Sequence, residues 1–359
     1  MRDSPIDITM KLYKFSDINI SDPFFNTLKV DYPEFSEWFS KKSKSGAQAY
    51  IKKNTYGLLE AFLYLKKETE EVTDVNPPMP AANRLKVGTL KIEAHNTRLG
   101  EGFIKKIMQS ATYIKAEEIY VTVFPKHEPL IKLLKRYGFV EYGTKGKEDN
   151  PELVFVKDMK NLSGDVLLDY PFVHINGKRK FVLAINPEFH TPLFPDSILN
   201  TELRNKDYLV RDVAHTNSIH KIYLSYMTGL DQLQRGDILL IYRTKDKGSA
   251  NYSSVITSIC VVEEVKTTNN FVSIDEYLKY TNSYSIFQDA TLRALYSKPN
   301  LVVIKMTYNV AFNRRVIRKE LLEKVGLNKD IYWGFFQITD EQFNKIIELG
   351  NIDESIIVN

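Results

Sequence analysis

The sequence has one cysteine, two tryptophans and no long run of apolar residues. A single cysteine cannot build a disulfide framework, which excludes the class of small secreted domains that depend on one. Cys260 lies in the apolar run Val255 to Val262, which predicts a buried strand residue. The start of the chain lacks the apolar region of a signal peptide, and no segment approaches the length of a membrane span. We therefore expect a cytoplasmic protein with no membrane partner.

A strong excess of charge is also missing. The chain has 49 Lys and Arg against 45 Asp and Glu, a formal net charge of +4, which permits a polyanionic partner without arguing for one. At 359 residues it is longer than one ordinary hydrophobic core, and its composition is that of a folded globular protein. We expect two domains, residues 1–160 and 171–359. Nothing in the sequence specifies an oligomeric state.

The chain is organised around the stretch from Arg84 to Phe139. A strand, Val87 to Ile92, leads through a loop to a helix that opens at Gly100-Glu101-Gly102 and carries an apolar stripe. A second strand, Glu118 to Val123, and a second amphipathic helix from Glu128 follow, and Gly138-Phe139 ends that helix. Glycines at a strand-to-helix turn leave backbone N–H groups bare at the positive end of the helix. The pattern therefore predicts a seat for a phosphate or pyrophosphate.

This stretch resembles the cofactor core of the GNAT superfamily of acetyl-CoA-dependent N-acetyltransferases. In that family a Q/R-x-x-G-x-G/A loop precedes the long helix, and here the loop reads Thr97-Arg98-Leu99-Gly100-Glu101-Gly102. The resemblance covers about the first 160 residues and implies a mixed sheet flanked by helices, with acetyl-CoA as the cofactor. The residues that it implies for cofactor binding are Ile92, Thr97, Arg98, Leu99, Gly100, Glu101, Gly102 and His127.

Three positions depart from the family pattern. Thr97 stands where the family has Gln or Arg, although Arg98 beside it can serve the pyrophosphate. Glu101 replaces an apolar residue, and a carboxylate near a pyrophosphate is unfavourable unless it points away. The family's general-acid tyrosine is replaced by Leu134. Cofactor binding is thus better supported than any dedicated catalytic acid.

Three residues are candidates for catalysis, each with a structural alternative. The imidazole of His127 can contact the cofactor or carry a proton near neutral pH, or it can simply cap the following helix. Glu93, directly after the core strand, can activate an amine through a water or can be a solvated strand end. Tyr137 is the phenol nearest to the missing acid position, and packing is its alternative role.

The segment Phe24 to Lys42 is rich in aromatic residues at helical spacing. It predicts a helix packed on the sheet. The resemblance adds a second role, because the early helices of GNAT proteins usually form the acceptor site. The residues concerned are Phe25, Leu28, Tyr32, Phe35, Trp38 and Phe39.

From about Pro171 the pattern changes to strands with few helices, which predicts a small β-barrel with helical insertions. This half resembles the ASCH/EVE branch of the PUA-like barrels, a group associated with RNA and modified-base recognition. The resembling segments are Phe181 to Pro187, Ile219 to Ser225 and Arg235-Gly236-Asp237-Ile238. The ASCH signature G-x-K-x-x-E-x-R survives only as Glu202-Leu203-Arg204. The whole chain is therefore expected to be a two-domain α/β (α+β) protein.

A polar stretch before the strand at Ile219 and a basic run from Asn313 to Lys319 are the candidate RNA-binding elements. The first can line a base-binding cleft, with Tyr223 or Trp333 stacking on the base, or it can be a loop held by its own hydrogen bonds. The second can track phosphates or be a solvated face. A metal site is not expected, because no cysteine or carboxylate stands at ligand spacing. The candidates are Arg211, His215, Asn217, His220, Lys221, Tyr223, Arg314, Arg315 and Trp333.

We therefore expect an acetyl-CoA-dependent N-acetyltransferase with a C-terminal RNA-type recognition domain and an acceptor linked to RNA, such as tRNA. Two alternatives stay open. The acceptor can be a protein or a small molecule, with the barrel used for specificity. The protein can also be a non-catalytic RNA-binding protein, an alternative that rests on the departures at Glu101 and Leu134.

Overall fold

The computed structural model describes residues 10–54, 56–93, 98–197 and 218–359. The chain divides into two compact units, Met1–Leu162 (unit 1) and Ser163–Asn359 (unit 2). Both combine helices with a mixed sheet, which confirms the expected α/β fold class. No helix among the described residues is both long enough and apolar enough to cross a membrane.

Unit 1 is built on one eight-stranded sheet. Its strands are β1 (Lys11–Lys14), β2 (Gln48–Lys53), β3 (Leu59–Glu68), β4 (Val75–Asn76), β5 (Arg84–Ile92), β6 (Glu118–Val123), β7 (Val140–Lys145) and β8 (Glu152–Asp158). Its helices are α1 (Asn26–Asp31), α2 (Phe35–Lys44), α3 (Leu99–Tyr113) and α4 (Glu128–Arg136). The strand order is β1-β2-β3-β5-β6-β8-β7-β4, and all neighbours are antiparallel except β5 and β6.

Helices cover both faces of this sheet. On one face the rings of Phe25 and Phe62 lie 5.4 Å apart, so the segment leading into α1 packs on β3, and Ile51 of β2 belongs to the same cluster. Successive strand residues point to opposite faces, so Tyr50 faces the other way. Lys106 of α3 lies 4.6 Å from the centre of the Tyr50 ring, which places α3 on the second face.

The central feature of unit 1 is a gap between β5 and β6. These strands pair in parallel only from Arg84 opposite Glu118 to Val87 opposite Val121. Beyond that point β5 stays with β3 and β6 stays with β8, so the two strands diverge. Gly88 is an extra residue on β5 at the register shift against β3, and such a bulge bends its strand. A side chain at Gly88 would meet the Tyr64 ring at 2.7 Å, so the bulge requires glycine.

Unit 2 contains a six-stranded sheet and a two-stranded one. Its strands are β9 (Val173–His174), β10 (Lys180–Ile185), β11 (His220–Ser225), β12 (Ile238–Arg243), β13 (Val255–Thr267), β14 (Val302–Ile317), β15 (Phe335–Ile338) and β16 (Ile357–Val358). Its helices are α5 (Pro187–Leu193), α6 (Ala250–Ser253), α7 (Ile274–Thr281), α8 (Asp289–Tyr296), α9 (Arg318–Glu323) and α10 (Asp340–Gly350). The six strands follow the order β11-β14-β13-β12-β10-β15, and β16 pairs with β9. Among the described strands this order is open, with β11 and β15 at its edges.

Both faces of the six-stranded sheet are covered by apolar cores. On β12, Leu240 belongs to the core that includes Phe343 of α10, whereas the next residue, Ile241, belongs to the core that includes Leu193 of α5. All six residues of β12 are buried, as in a strand covered on two sides. Cys260 is buried on the neighbouring β13, as predicted, and burial raises the pKa of its thiol.

Candidate active site

A cavity of about 750 Å³ opens where β5 and β6 diverge in unit 1. Its wall includes β5 from Lys86 to Ile92, the end of β6, the start of α3, the first turns of α4 and one side of α1 and α2. The titratable acids, lysines and histidine that line it are Asp31, Glu34, Lys42, Lys66, Glu68, Lys86, Lys91, Lys126, His127, Lys145 and Glu152. The cavity is therefore bounded by the unpaired edges of two strands and by a set of charged side chains.

The start of α3 forms one end of this cavity. Glu101 and Gly102 donate their backbone N–H groups to the carbonyl of Arg98, but the N–H groups of Leu99 and Gly100 have no acceptor among the described residues. Gly100 lines the cavity, and a Cβ on it would lie 2.8 Å from Leu133 of α4. Bare N–H groups at the positive end of a helix suit an anion. The residues present thus fit a pyrophosphate.

The carboxylate of Glu101 does not face that end. The residue is 3% exposed, is not among those that line the cavity, and has Oε1 3.8 Å from Nη1 of Arg98. One position along a helix rotates a side chain by about 100°. Gly100 can therefore face the cavity while Glu101 is buried in the unit.

The backbone of Ile92 lies on the open edge of β5. The N–H of Glu93 donates to the carbonyl of Glu60 on β3, at 2.9 Å. Backbone N–H groups alternate between the two edges of a strand, so the N–H groups of Ile92 and Leu90 point into the gap left by β6. Both residues line the cavity. They offer donors for a carbonyl oxygen on which negative charge develops.

His127 lines the cavity at the start of α4. Its side chain is 47% exposed, makes no capping hydrogen bond to the helix, and has Nε2 3.9 Å from Oδ2 of Asp31. Burial lowers the pKa of His127, Lys126 adds to this, and Asp31 opposes it. The imidazole is therefore neutral at pH 7 and can donate or accept one hydrogen bond.

The other two candidates for catalysis lie outside the lining. The carboxylate of Glu93 is 47% exposed and 2.7 Å from Nζ of Lys91. Tyr137 is fully buried at the end of α4, where its carbonyl accepts a hydrogen bond from Lys157. Neither residue is among those that line the cavity. Thr97 lies outside the described residues.

Two polar clusters in the cavity were not predicted from the sequence. In the first, Oε1 of Glu152 accepts hydrogen bonds from the hydroxyls of Tyr32, at 2.5 Å, and Thr122, at 3.1 Å. Burial raises the pKa of Tyr32, and the hydrogen bond to Glu152 raises it further. Tyr32 belongs to the aromatic segment expected to shape an acceptor cleft. The only signal for Glu152 in the sequence was a carboxylate directly before the apolar run Leu153 to Val156.

The second cluster surrounds Glu68. Its Oε1 lies 2.7 Å from Nζ of Lys66 and 3.7 Å from Nζ of Lys86, and its Oε2 accepts a hydrogen bond from the hydroxyl of Tyr120. Burial raises the pKa of Glu68, but the hydrogen bonds of Lys66 and Tyr120 outweigh it, so the net pKa is lowered. Burial lowers the pKa of Lys86, and Lys145 adds to this. Two cations share one carboxylate here, which leaves this end of the cavity positive.

The candidate RNA-binding residues of unit 2 separate into three places. Tyr223 and Trp333 line a cavity of about 520 Å³ together with the rings of Phe189, Tyr226, Phe287 and Tyr332. His220 and Lys221 are buried, at 0% and 1% exposure. Arg314 is 2.6 Å from Glu320, and Arg315 donates to the carbonyls of Phe312 and Thr257. Arg211, His215, Asn217 and the segment Glu202-Leu203-Arg204 lie outside the described residues.

His220 belongs to a buried charged network. Its Nδ1 lies 2.5 Å from Oε2 of Glu263, whose Oε1 accepts a hydrogen bond from Nζ of Lys305 at 2.6 Å. Burial raises the pKa of Glu263, but the hydrogen bonds and charges of His220 and Lys305 outweigh it and lower the pKa to about 2. Among the described residues, no cluster of three or more His, Cys, Asp or Glu side chains could hold a metal ion.

Neither a family model nor a curated protein matches the sequence. Solved structures of other proteins do match the chain. The ASCH protein of Zymomonas mobilis is 10% identical, covers 47% of this chain and 94% of its own, and has a TM-score of 0.33. The N-acetyltransferase PseH of Campylobacter jejuni, in complex with acetyl coenzyme A, is 13% identical over 42% of this chain and 99% of its own, with a TM-score of 0.27. Arabidopsis thaliana NAA60, in complex with a bisubstrate analogue, is 17% identical over 43% and 100%, with a TM-score of 0.32.

The solved neighbours thus include both families that the sequence resembles, each over just under half of the chain. The cavity of unit 1 combines a bare backbone N–H at Gly100, backbone donors at Leu90 and Ile92, and a buried carboxylate at Glu152.

Proposed function

We propose that unit 1 is an N-acetyltransferase that uses acetyl-CoA as donor and an amine as acceptor. One observation carries the proposal: Gly100 at the start of α3, whose N–H is bare, and Ile92 on the open edge of β5 line the same cavity in the gap between β5 and β6. An anion and a carbonyl oxygen can be held there by the same ligand. Acetyl-CoA, when bound, supplies an activated thioester.

The backbone supplies most of what the transfer requires. The N–H groups of Leu99 and Gly100 bind the pyrophosphate, and Arg98, whose side chain is 37% exposed, adds positive charge beside it. The N–H of Ile92 donates to the carbonyl oxygen as charge develops on it. Fixing two reactants in one cavity supplies a large part of the acceleration. Such a reaction proceeds without a dedicated acid at Leu134.

We assign His127 to contact with the donor or the acceptor, because it lines the cavity and its side chain does not cap the helix. Its lowered pKa keeps the imidazole neutral at pH 7, so it acts as a hydrogen-bond partner rather than as a cation. Glu93 and Tyr137 lie outside the lining, and we assign them no contact with either reactant.

For unit 2 we propose RNA binding through the aromatic cavity. Among the described residues, six aromatic side chains line it, and three polar side chains, Asn186, Ser225 and Thr244, accompany them. Aromatic rings stack on unpaired bases, and amide and hydroxyl groups can bond to base edges. The burial of His220 and Lys221 removes them from this role. With this unit we propose an acceptor amine carried on RNA, such as tRNA.

The test is acetyl transfer from radiolabelled acetyl-CoA to a panel of amines: aminoacyl-tRNA, peptides with free N-termini, polyamines and free amino acids. Transfer to the RNA-borne amine, reduced by competing unlabelled RNA, is the expected result. Transfer to a peptide or small amine that is indifferent to RNA would replace the proposed acceptor with the protein or small-molecule alternative. RNA affinity without acetyl-CoA binding would point to a non-catalytic binding protein.

A further inference from the structure

Glu152 is a nearly buried carboxylate at the entrance to β8. It is 9% exposed and lines the cavity, and Oε1 accepts the hydrogen bonds of Tyr32 and Thr122. Neither hydroxyl carries positive charge. Burying a carboxylate without a cation is costly, so a site of this kind is stabilised when a cation enters it.

No cation of the described residues supplies that charge. Lys145, which pairs with Glu152 in the sheet, places Nζ 2.6 Å from Asp74 instead. Lys126, also in the lining, lies 2.5 Å from Asp31. In the described residues, Oε2 of Glu152 accepts no hydrogen bond and the side chain forms no salt bridge. One oxygen is thus held in place while the other is available.

The carboxylate lies at the apex of the gap. The last residues of β5 and β6 to pair are Val87 and Val121, and Thr122 is the next residue along β6. Since Thr122 donates to Glu152 at 3.1 Å, the carboxylate stands where the strand edges first become bare. The rings of Tyr32 and Phe124 lie 5.3 Å apart in the same lining. Nζ of Lys126 already lies over the Phe124 ring, 5.5 Å from its centre, so the ring of Tyr32 is the one that offers a face to a second cation.

We propose that Glu152 binds the protonated primary amine of the acceptor at this apex and takes its proton. The proton transfer rests on the proposed function, because it belongs to that reaction. The binding of an ammonium ion depends only on the geometry of Glu152. Tyr32 and Thr122 are positioning residues, because they act by fixing Oε1. The acceptor class is therefore a primary amine that arrives as its ammonium ion, from the side of α1.

The proposed acetyl transfer balances in protons and bonds. The ammonium gives one proton to Glu152, which passes it to solvent. The freed nitrogen lone pair forms a bond to the carbonyl carbon of the thioester as the carbon–sulfur bond breaks. The nitrogen loses its second proton to the departing thiolate. The products are the N-acetyl amine, the free thiol and one proton.

The test measures binding of a plain ammonium ion to the full-length protein. The probe is n-butylammonium chloride, followed by saturation-transfer NMR at constant ionic strength, with tetramethylammonium as a cation that has no N–H to donate. We expect the wild type to prefer n-butylammonium by roughly tenfold to a hundredfold, since hydrogen bonds to charged groups are worth that much. Glu152→Gln, which keeps the shape and the Oε1 acceptor, should abolish the preference.

Two further variants serve as controls for this measurement. Glu141→Gln removes an exposed carboxylate of β7 that is outside the cavity lining, and it should keep the wild-type preference. Glu152→Asp keeps the charge, so it should recover part of the preference even if Glu152→Gln folds poorly. With any acceptor that the wild type acetylates, Glu152→Gln should also lower the rate by about a hundredfold to ten-thousandfold.

The outcomes separate this site from the proposed function. A wild type that does not prefer n-butylammonium, or a preference that survives Glu152→Gln, overturns the ammonium site whatever the protein does with acetyl-CoA. A Glu152-dependent preference in a protein that fails to bind acetyl-CoA in a parallel calorimetric titration supports the ammonium site and rejects the acetyltransferase.

Discussion

Charged groups are used in opposite ways in the two units. In the part of unit 1 that the structure describes, eleven acidic, lysine or histidine side chains line the cavity, and some of them are only partly compensated. In unit 2, none of the residues described as lining the cavity of about 520 Å³ is Asp, Glu, Lys, Arg or His. Its buried carboxylate, Glu263, is instead hydrogen-bonded by His220 and Lys305. Charged side chains that face the cavity of unit 1 are available to a ligand and can take part in chemistry. The charged side chains of the network in unit 2 bond within the protein and stabilise the fold, which leaves the aromatic cavity for recognition.

The largest stability effect should come from the closed network. Glu263→Gln removes a carboxylate that the buried His220 and the partly buried Lys305 share, and breaking such a group costs roughly 3–5 kcal/mol of the free energy of unfolding. Chemical denaturation should show this loss, while acetyl-CoA affinity stays at the wild-type level. The exposed Glu341→Gln, which breaks a surface pair with Lys345, is the control and should change stability by under about 1 kcal/mol. A stable Glu263→Gln variant would show that the network does not hold unit 2 together.

The same network should make the wild type sensitive to acid. The pKa of Glu263 is lowered from 4.5 to about 2 in the folded protein. Its contribution to the free energy of unfolding is therefore complete above pH 4.5 and is lost as the pH falls towards 2. The wild type should therefore lose more unfolding free energy than Glu263→Gln across this window. Denaturation curves at several pH values measure the difference. Equal losses in the two proteins would contradict the assignment.

A smaller effect should come from the aromatic cavity. Tyr332 is 70% exposed and lines it, so Tyr332→Ala should weaken RNA binding by roughly 1–3 kcal/mol, the value of one stacked base. Fluorescence anisotropy with a labelled single-stranded RNA measures this. Tyr252→Ala, at a 62% exposed tyrosine outside that cavity, is the matched control. An equal effect of both changes would argue against the cavity as the RNA site.

The smallest expected effect is the loss of one helix cap in unit 2, and it gives a reference value for the larger losses of stability. The side chain of Thr339 accepts a hydrogen bond from the N–H of Gln342 at 3.1 Å, and the side-chain oxygen of Gln342 accepts one from the N–H of Thr339 at 3.0 Å. Thr339→Ala removes this cap of α10 and should cost about 1 kcal/mol of the unfolding free energy. Binding of acetyl-CoA and of RNA should not change. A loss comparable with that of Glu263→Gln would mean that unit 2 is uniformly fragile.

Local patterns predicted the elements around the cavity well. The alternating residues of β6 gave its bounds, Glu118–Val123, and the apolar stripe of α3 is buried at Phe103 and Ile107. In unit 2, Thr339 followed three residues later by Gln342 is the sequence pattern of a capping box, and both of its hydrogen bonds are present. Each of these features depends on residues close in sequence, so the sequence displays it directly.

The acceptor side of the cavity could not be predicted in the same way. Tyr32 and Glu152 are 120 positions apart, and only the strand order brings them together. His220 and Lys221 were expected to line a base-binding cleft because they belong to a polar stretch that leads into a strand. β11 packs through Ile222 on one core and through Tyr223 on another, and both His220 and Lys221 are buried.

The most direct test of the central claim is calorimetric titration of the full-length protein with acetyl-CoA. Gly100→Trp fills the anion seat, and Gln109→Trp places the same side chain at an exposed position of α3. Saturable binding by the wild type and by Gln109→Trp, lost in a folded Gly100→Trp, is the result expected for a cofactor seat at the start of α3. No binding by the wild type, or equal binding by Gly100→Trp, would contradict it.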